Sequence, residues 1–355
     1  MRHLELFAGV GGFRKAFDYI QKDLGIENET IGFSEIDSKA SQTYAANYNT
    51  EGEIVLGDIV NFINNKNEFQ NLPNFEILSG GFPCQTFSMM GKKAGFDEDR
   101  GQMFFRIMDI VHYKKPNYIL LENVKNLKTH DKKRTYARIK SELETENYIV
   151  HEDIFNSFEF GLPQIRNRMI IFARKREFGD FGFSFNLVKN TFDKLNLRSC
   201  SINTYNSVLD ILSKNVDEKY YLSERIKPTI LSNGSGKFVS KSDIDQCIAR
   251  PLTASMHKMH RACQDNYYSD LFIQSNGSNR PSEYLSKEEL AKIAIRKLTP
   301  QEAFMLQGFP SDFAENAMKA GIANGALYKQ AGNAVSVNTI YAILYYLISN
   351  HIIEI

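Results

Sequence analysis

The chain has 355 residues, of which 43% are hydrophobic and 24% are charged, and its formal net charge is +1. These values exclude a disordered or fibrous protein and predict a folded chain with two lobes, or one lobe with a large insertion. The N-terminal segment lacks the pattern of a signal peptide and no run approaches the about 20 apolar residues of a membrane span, so we expect a cytoplasmic protein that contacts no membrane.

Short apolar runs alternate with amphipathic stretches through the first half of the chain, which predicts βα units around a mostly parallel sheet. The predicted strands are residues 4–6, 30–34, 54–56, 76–79, 118–121, 148–154 and 169–172, and the predicted helices are 13–21, 38–48, 103–113 and 135–145. This rhythm stops near residue 176, and the tract to about 290 is rich in Asn, Ser and Lys. We therefore expect a doubly wound α/β lobe, a second lobe or insertion, and a C-terminal helix within 335–353 that packs back onto the first lobe.

The turn from the first strand into the first helix contains Gly9, Gly11 and Gly12. Glycines at this position permit a tight turn and close approach of a ligand to the backbone, which indicates a nucleotide-type ligand. A dinucleotide fingerprint would need a third glycine where Arg14 stands, so the turn disfavours a pyrophosphate cofactor.

Acidic residues end the next two strands. Glu35 can accept hydrogen bonds from both ribose hydroxyls, and Asp58 is placed to meet an adenine. Taken singly, either acid could be a helix cap or a turn residue. Glycines, Glu35 and Asp58 at three successive strand ends together favour a ligand site, and an adenosine without phosphates fits it. We therefore predict S-adenosylmethionine as the cofactor.

Cys84 follows the fourth strand, at the carboxyl edge where doubly wound sheets place ligands. Pro83 fixes the approach of the backbone, and the polar Gln85 and Ser88 argue against a packed apolar site. No CxxC pair is present, so we expect neither a disulfide framework nor a bound metal. The other cysteines are Cys200, Cys247 and Cys263.

Glu122 ends the following strand and brings a carboxyl group to the neighbouring strand tip. With these residues in place, the chain resembles the bacterial cytosine carbon-5 DNA methyltransferases of restriction–modification systems along nearly its whole length. The motifs that carry the resemblance are residues 7–13, 83–85, 122–124, 164–168, 296–302, 306–310 and 330–333. The resemblance implies an S-adenosylmethionine-dependent methyltransferase fold with a second, smaller target-recognition domain that acts on double-stranded DNA.

The resemblance also implies a covalent reaction. The Cys84 thiolate would add to carbon 6 of cytosine and make carbon 5 reactive toward a methyl sulfonium, while Glu122 bonds ring nitrogen 3 and the exocyclic amine. Arg166 falls in the family's catalytic pocket, and Arg166 and Arg168 are candidates for lowering the pKa of the thiol. The cytosine must leave the duplex stack, and Gln85 and Ser88 resemble part of the loop that closes over the flipped base. The base that removes the carbon-5 proton is not identified, and water is an alternative.

Cofactor contacts follow from the resemblance by position. S-adenosylmethionine, and its product S-adenosyl-L-homocysteine, would contact Phe7, Gly9, Gly11, Gly12, Glu35, Ile36, Asp58, Ile59, Pro83, Met103 and Asn333. Ile36 departs from the family, because relatives often carry there an aromatic residue that stacks on adenine.

The predicted domains are a catalytic and cofactor-binding domain (1–180), a target-recognition domain (181–295) and a return segment that completes the catalytic domain (296–355). Residues 249–254 resemble the recognition-lobe signature, with Pro251 where relatives commonly carry a threonine that contacts phosphate. Arg250 and Thr253 are candidates for that contact. We expect a monomer in a bacterial cytoplasm, paired in function with a restriction endonuclease.

Three alternatives stay open from the residues. A nicotinamide-dependent oxidoreductase is disfavoured by the missing third glycine and gives Cys84 no purpose. A catalytically inactive DNA-binding relative is disfavoured by intact Cys84, Glu122 and Arg166. The same chemistry on transfer RNA is disfavoured by the long segment 181–295, since reading a duplex needs a large groove-facing lobe.

Overall fold

A seven-stranded sheet organises the part of the chain that carries the predicted cofactor residues. The computed structural model describes residues 1–83, 103–235, 238–258 and 262–354. The strands are β1 (Arg2–Leu6), β2 (Glu29–Phe33), β3 (Ile54–Val55), β4 (Ile77–Gly81), β5 (Tyr118–Val124), β6 (Tyr148–Asn156) and β7 (Asn167–Lys175). Their order is β3-β2-β1-β4-β5-β7-β6, and β7 alone runs antiparallel to its neighbours. This confirms the doubly wound, mostly parallel sheet.

Helices connect these strands. They are α1 (Gly12–Leu24), α2 (Ser38–Ala45), α3 (Ile59–Asn64), α4 (Lys66–Asn71), α5 (Met103–Lys114), α6 (Arg134–Thr145) and α7 (Phe185–Phe192). The four predicted helices are present, although α2 ends earlier than expected. The short helices α3 and α4 were not predicted, because α3 buries only two residues and α4 none, too few to give a helical period.

The helices pack on the sheet through single apolar faces. In α1 the buried residues Phe13, Ala16, Phe17 and Ile20 recur at helical spacing, and its exposed face is charged. On the sheet, Leu4, Leu6, Leu78, Ile119 and Leu121 lie in one buried cluster. Burying such side chains, at about 1.5–3 kcal/mol each, fixes the strand registers that place the strand ends.

The strand registers bring the predicted chemistry to one edge. Strands β1 to β5 are parallel, so their carboxyl ends share that edge, and antiparallel β7 begins there. Leu6 pairs with Gly80, Gly81 with Glu122, and Val124 with Arg168. The turn after β1, the exit of β4 and the end of β5 therefore lie side by side.

The chain divides into two units. The first comprises Met1–Asn156, Asn167–Ile202 and Thr339–Ile355, and the second comprises Ser157–Arg166 and Asn203–Asn338. The C-terminal residues thus belong to the first unit. Residues 296–338 group with the second unit in this division, and the functions expected of the three predicted domains stay predictions.

The second unit is built from short elements, listed here in chain order. They are α8 (Lys227–Leu231), β8 (Gly234–Ser235), β9 (Phe238–Val239), β10 (Tyr267–Ser269), α9 (Asp270–Gln274), α10 (Lys287–Leu290), β11 (Ile295–Lys297), α11 (Pro300–Met305), α12 (Phe313–Lys319) and α13 (Asn324–Asn333), followed by α14 (Val337–Ser349), which continues into the first unit. A buried ion pair joins the Arg296 guanidinium to both Glu302 oxygens at 2.9 Å. Glu302 also completes a capping box with Thr299 at the start of α11.

The stretch Asn324–Ser349, which comprises α13 and α14, is long and apolar enough to cross a membrane by length and composition alone. Because 83% of its most apolar window is buried within the protein, packing in a protein core accounts for this character.

Candidate active site

The centre of the site is an ion pair between Glu122 and Arg168. Arg168 Nε lies 2.7 Å from Glu122 Oε1, and both side chains are largely buried, with 20% and 11% exposed. The antiparallel pairing of β5 with β7 holds the two side chains at the same edge. Such a charge-assisted bond orients the carboxylate. Among the described residues, Glu122 Oε2 makes no hydrogen bond, so it can form one with a substrate.

The exit of β4 is tied to the end of β5 by Asn123. Its side-chain amide donates to the Phe82 carbonyl at 2.8 Å, and its Oδ1 accepts from the Val124 N–H. Asn123 is buried, as is the Phe82 ring, so this bond is sheltered from water. It fixes the backbone immediately before the exposed Pro83.

Three predicted residues, Cys84, Gln85 and Ser88, lie outside the described residues. Their roles therefore stay predictions, supported by the position of the chain at Pro83.

The turn after β1 has the unusual backbone expected of a ligand loop. Phe7, Gly9 and Gly11 all have positive φ, at 53°, 56° and 81°. A non-glycine residue such as Phe7 is strained in this region, and such strain clusters at functional sites.

The two positive-φ glycines of this turn serve different purposes. A Cβ at Gly9 would meet no atom within 4 Å, so the space above it is open to a ligand. A Cβ at Gly11 would come within 2.6 Å of the Tyr48 ring and 2.8 Å of Tyr44. Tyr48 also donates a hydrogen bond from its hydroxyl to the Gly11 carbonyl at 2.7 Å. Gly11 is therefore required by packing, and Gly12, buried at the start of α1, lies on the same packed side.

Glu35 joins the end of β2 to this turn. Its Oε2 accepts from the Gly9 N–H at 2.8 Å and its Oε1 from the Asp37 N–H at 2.7 Å. Burial raises the pKa of the Glu35 carboxyl, and the two backbone donors act against that rise. A carboxylate oxygen can accept two hydrogen bonds, so both oxygens of Glu35 can still accept one from a ribose hydroxyl.

Ile36 is 76% exposed beside Glu35. An apolar side chain this open at a ligand edge offers a surface that an adenine ring could cover. Its aliphatic character removes ring stacking but keeps apolar contact.

The remaining predicted cofactor residues differ in placement. Asp58 caps α3 by accepting from the Val60 N–H at 2.8 Å, which is the helix-cap alternative that its sequence position left open. The Ile59 side chain is buried in the core, while Met103 is half-buried at the start of α5. Asn333 is exposed at the end of α13 in the second unit.

Glu5 lies in β1, beneath the glycine turn. It is fully buried, and its Oε2 accepts from the Arg14 N–H at 3.3 Å in the first turn of α1. The N-cap residue Gly11 makes no side-chain cap bond, so Glu5 supplies an acceptor at this helix end. Burial raises the pKa of Glu5 to about 8, with Arg14 acting in the opposite direction.

Arg166 has a structural role within the second unit. It is 2% exposed, and its guanidinium donates to the carbonyls of Leu252, Gly332 and Ala334 at 2.8–3.0 Å. These bonds join three separate segments of that unit. The catalytic role expected for Arg166 stays a prediction, whereas Arg168 makes the ion pair with Glu122.

The recognition-signature residues are held by local bonds. The Arg250 guanidinium donates to the Asp243 carbonyl at 3.1 Å, and its backbone N–H donates to Asn266. Thr253 is half-buried, and a Cβ at Gly332 would lie 2.2 Å from its carbonyl carbon. Gly332 is therefore needed for backbone contact in this unit.

Sequence reasoning missed Glu5, Tyr48 and Asn123. A charged residue between Leu4 and Leu6 in a buried strand should have signalled a paired or neutral carboxyl. Asn123 was quoted only as part of a motif, although a polar side chain in a buried strand must find a partner. Within the described ranges, no group of three His, Cys, Asp or Glu residues is arranged to hold a metal ion.

Comparison with known proteins agrees with this architecture. The family model for C-5 cytosine-specific DNA methylase matches residues 1–349. The Type II methyltransferase M1.ScrFI of Lactococcus lactis subsp. cremoris is 37% identical over 351 residues, covering 96% of this chain and 76% of its own. The Type II methyltransferase M.SsoII of Shigella sonnei is 36% identical over 360 residues, covering 98% and 80%. Among solved structures, the S. pombe Dnmt2 methyltransferase has a TM-score of 0.75 at 19% identity, with 99% of each chain covered.

The fold is thus that of a methyltransferase with a doubly wound sheet, and an acidic residue, Glu122, lies at the end of β5. The chain belongs to the C-5 cytosine-specific DNA methylase family. It is a DNA (cytosine-5-)-methyltransferase, which removes the nicotinamide-dependent oxidoreductase from consideration.

Proposed function

We propose that the protein methylates carbon 5 of a flipped-out cytosine within a specific duplex DNA sequence, through a covalent adduct with Cys84. The observation that carries the proposal is the Glu122–Arg168 ion pair beside the exit of β4. The relatives named Type II methyltransferases support a role in protecting host DNA beside a restriction endonuclease. The protein would act as a monomer in a bacterial cytoplasm.

The residues around the glycine turn suit S-adenosylmethionine. The open space above Gly9 leaves room for a ligand to contact the backbone. The Glu35 carboxylate, which accepts a backbone hydrogen bond on each oxygen, suits a ribose, and the exposed Ile36 suits an adenine. Phe7, Gly11, Gly12, Asp58, Ile59, Pro83, Met103 and Asn333 would complete the site. When bound, the cofactor supplies a methyl group on a positively charged sulfur.

The chain's own residues would prepare the cytosine. The Cys84 thiolate forms a bond to carbon 6, and the displaced electron pair makes carbon 5 nucleophilic. As the thiolate adds, Glu122 in its protonated form would donate a hydrogen bond to ring nitrogen 3 and accept one from the exocyclic amine on its other oxygen, while Arg168 holds the carboxyl group in place. After methylation at carbon 5, loss of the carbon-5 proton and cleavage of the carbon–sulfur bond restore the aromatic ring and the thiolate.

Access to carbon 6 requires base flipping, because neither face of a stacked cytosine is open to a thiolate. Gln85 and Ser88 would close over the flipped base. Arg250 and Thr253 would contact DNA from the target-recognition part of the chain, and Arg166 would support the pocket.

Methyl transfer to duplex DNA tests the proposal. The wild-type protein should transfer labelled methyl groups to bacterial genomic DNA, and Cys84→Ser should abolish transfer while S-adenosylhomocysteine binding persists. Cys200→Ser is the matched control, because Cys200 is a half-buried cysteine of the first unit whose neighbour Ser201 bonds Asp23 near the end of α1. Duplex DNA containing 5-fluorocytosine should trap a covalent adduct, since fluorine cannot leave as a proton. Label that enters transfer RNA but not DNA would overturn the assignment of substrate.

A further inference from the structure

We propose that residues 125–134, called here the basic segment, bind the DNA backbone phosphates next to the target cytosine. The inference rests on the proposed function and adds a docking surface to it. The segment contains five cationic side chains and one carboxylate, in a chain whose net charge is only +1. The cations are Lys125, Lys128, Lys132, Lys133 and Arg134.

Position makes DNA the matching partner. The basic segment begins directly after β5, at the edge where Glu122 meets Arg168. Lys125 is three residues beyond Glu122, so their Cα atoms are at most about 11 Å apart. A duplex that presents a cytosine to Glu122 brings the phosphates that flank this nucleotide to the same edge of the sheet, and both strands are densely charged.

Three of the five cations of the segment are available for binding, because Lys128 lies 3.6 Å from Glu152 and Arg134 pairs with Asp131. Lys125, Lys132 and Lys133 are exposed, and no carboxylate of the described residues lies within salt-bridge distance of them. Further along α6 the pattern changes, because Arg138 pairs with Glu142 and Lys140 with Glu144. The uncompensated positive charge is therefore concentrated at the end of α6 that faces the active-site edge.

The backbone of the segment is held in an unusual shape. Asp131, Lys132 and Lys133 are three consecutive non-glycine residues with positive φ, at 47°, 54° and 71°. Residues in this region persist only where the surroundings hold them there, and they cluster at functional sites. Leu127 anchors the segment in the core, fully buried.

Internal bonds keep the segment ordered. His130 Nδ1 lies 2.7 Å from the Thr135 hydroxyl, and the Arg134 guanidinium pairs with Asp131. That pairing occupies the one carboxylate of the segment, and the bond lowers the pKa of Asp131, so it stays ionised on Arg134. The neighbouring Lys132 and Lys133 have no carboxylate partner among the described residues and can pair with phosphates.

Salt dependence of methylation tests the inference. The double variant Lys132→Asn/Lys133→Asn removes two charges and keeps a residue type that tolerates positive φ. If each lysine neutralises one phosphate, the slope of log(kcat/KM) for genomic DNA against log[salt] should fall in magnitude by about 1.8. Between 50 and 200 mM salt, kcat/KM of the wild type should then fall by a factor about 12 times larger than kcat/KM of the variant. The loss should appear in KM for DNA, with kcat and S-adenosylhomocysteine binding unchanged.

The matched control is Lys22→Gln/Lys115→Asn. Both lysines are exposed, and they lie at the opposite edge, near the end of α1 and before β5. The inference is overturned if the first double variant keeps the wild-type slope, or if the control lowers the slope equally. Wild-type protein that fails to methylate DNA would instead overturn the proposed function.

Discussion

Replacing Glu5 by Gln should make the protein more stable at neutral pH. Burial raises the pKa of Glu5 to about 8 from 4.5, so the folded chain keeps the carboxyl neutral at pH 7 while the unfolded chain ionises it. A raised folded-state pKa gives stability that is complete below the unfolded pKa and is lost as the pH rises toward the folded pKa. At 1.36 kcal/mol per pKa unit, the loss between pH 5 and pH 7 is about 2–3 kcal/mol.

The assay compares melting temperatures of the wild type and Glu5→Gln at pH 5 and pH 7. Gln keeps an acceptor for the Arg14 N–H but cannot ionise, so the variant should gain about 3–4 °C on the wild type over this interval for a chain of 355 residues. Glu29→Gln removes an exposed carboxylate from neighbouring β2 and controls for net charge. A melting-temperature difference that is equal at both pH values would refute the neutral state of Glu5.

Three further predictions concern the site. In labelled methyl transfer, Glu122→Gln should lower kcat by about 10²–10³-fold. Arg168→Gln should lower kcat about 10- to 100-fold, because it removes the group that orients Glu122. A wild-type kcat in Arg168→Gln would contradict this role. Burial raises the pKa of Glu35, and ribose hydroxyls bind best to an ionised acceptor. The affinity for S-adenosylhomocysteine, measured by calorimetry, should therefore weaken as the pH falls from 7 to 5 in the wild type but not in Glu35→Gln. A wild-type affinity that does not change with pH would argue against ribose binding by Glu35. Tyr48→Phe loses the hydrogen bond to the Gly11 carbonyl and should lower the free energy of unfolding by about 1 kcal/mol. Gly11→Ala should lower it considerably more in thermal unfolding, because the added Cβ meets the Tyr48 ring. A Gly11→Ala variant as stable as the wild type would mean that the Tyr48 ring can move aside.

The central sheet was predictable because its strands are buried runs separated by amphipathic helices. Both signals are local, and they suffice to place Glu35, Asp58 and Glu122 at strand ends. The Glu122–Arg168 contact was not predictable from spacing, since it depends on β7 running antiparallel beside β5.

Other features arise only in three dimensions. The helix-end acceptor from Glu5 reaches Arg14 across the glycine turn, and the contact of Tyr48 with Gly11 joins residues 37 positions apart. The second unit was the least predictable, because its helices are mostly one or two turns long and leave no hydrophobic period.

The pairing of β5 with β7 also sets an order of events during synthesis. Glu122 leaves the ribosome before β6 and before Arg168, and at about 5–20 residues per second the intervening chain takes several seconds to emerge. Until β7 inserts between β5 and β6, the Glu122 carboxylate lacks the cation that orients it. In a nascent chain, the Glu122 carboxylate is therefore oriented only after β7 has joined the sheet.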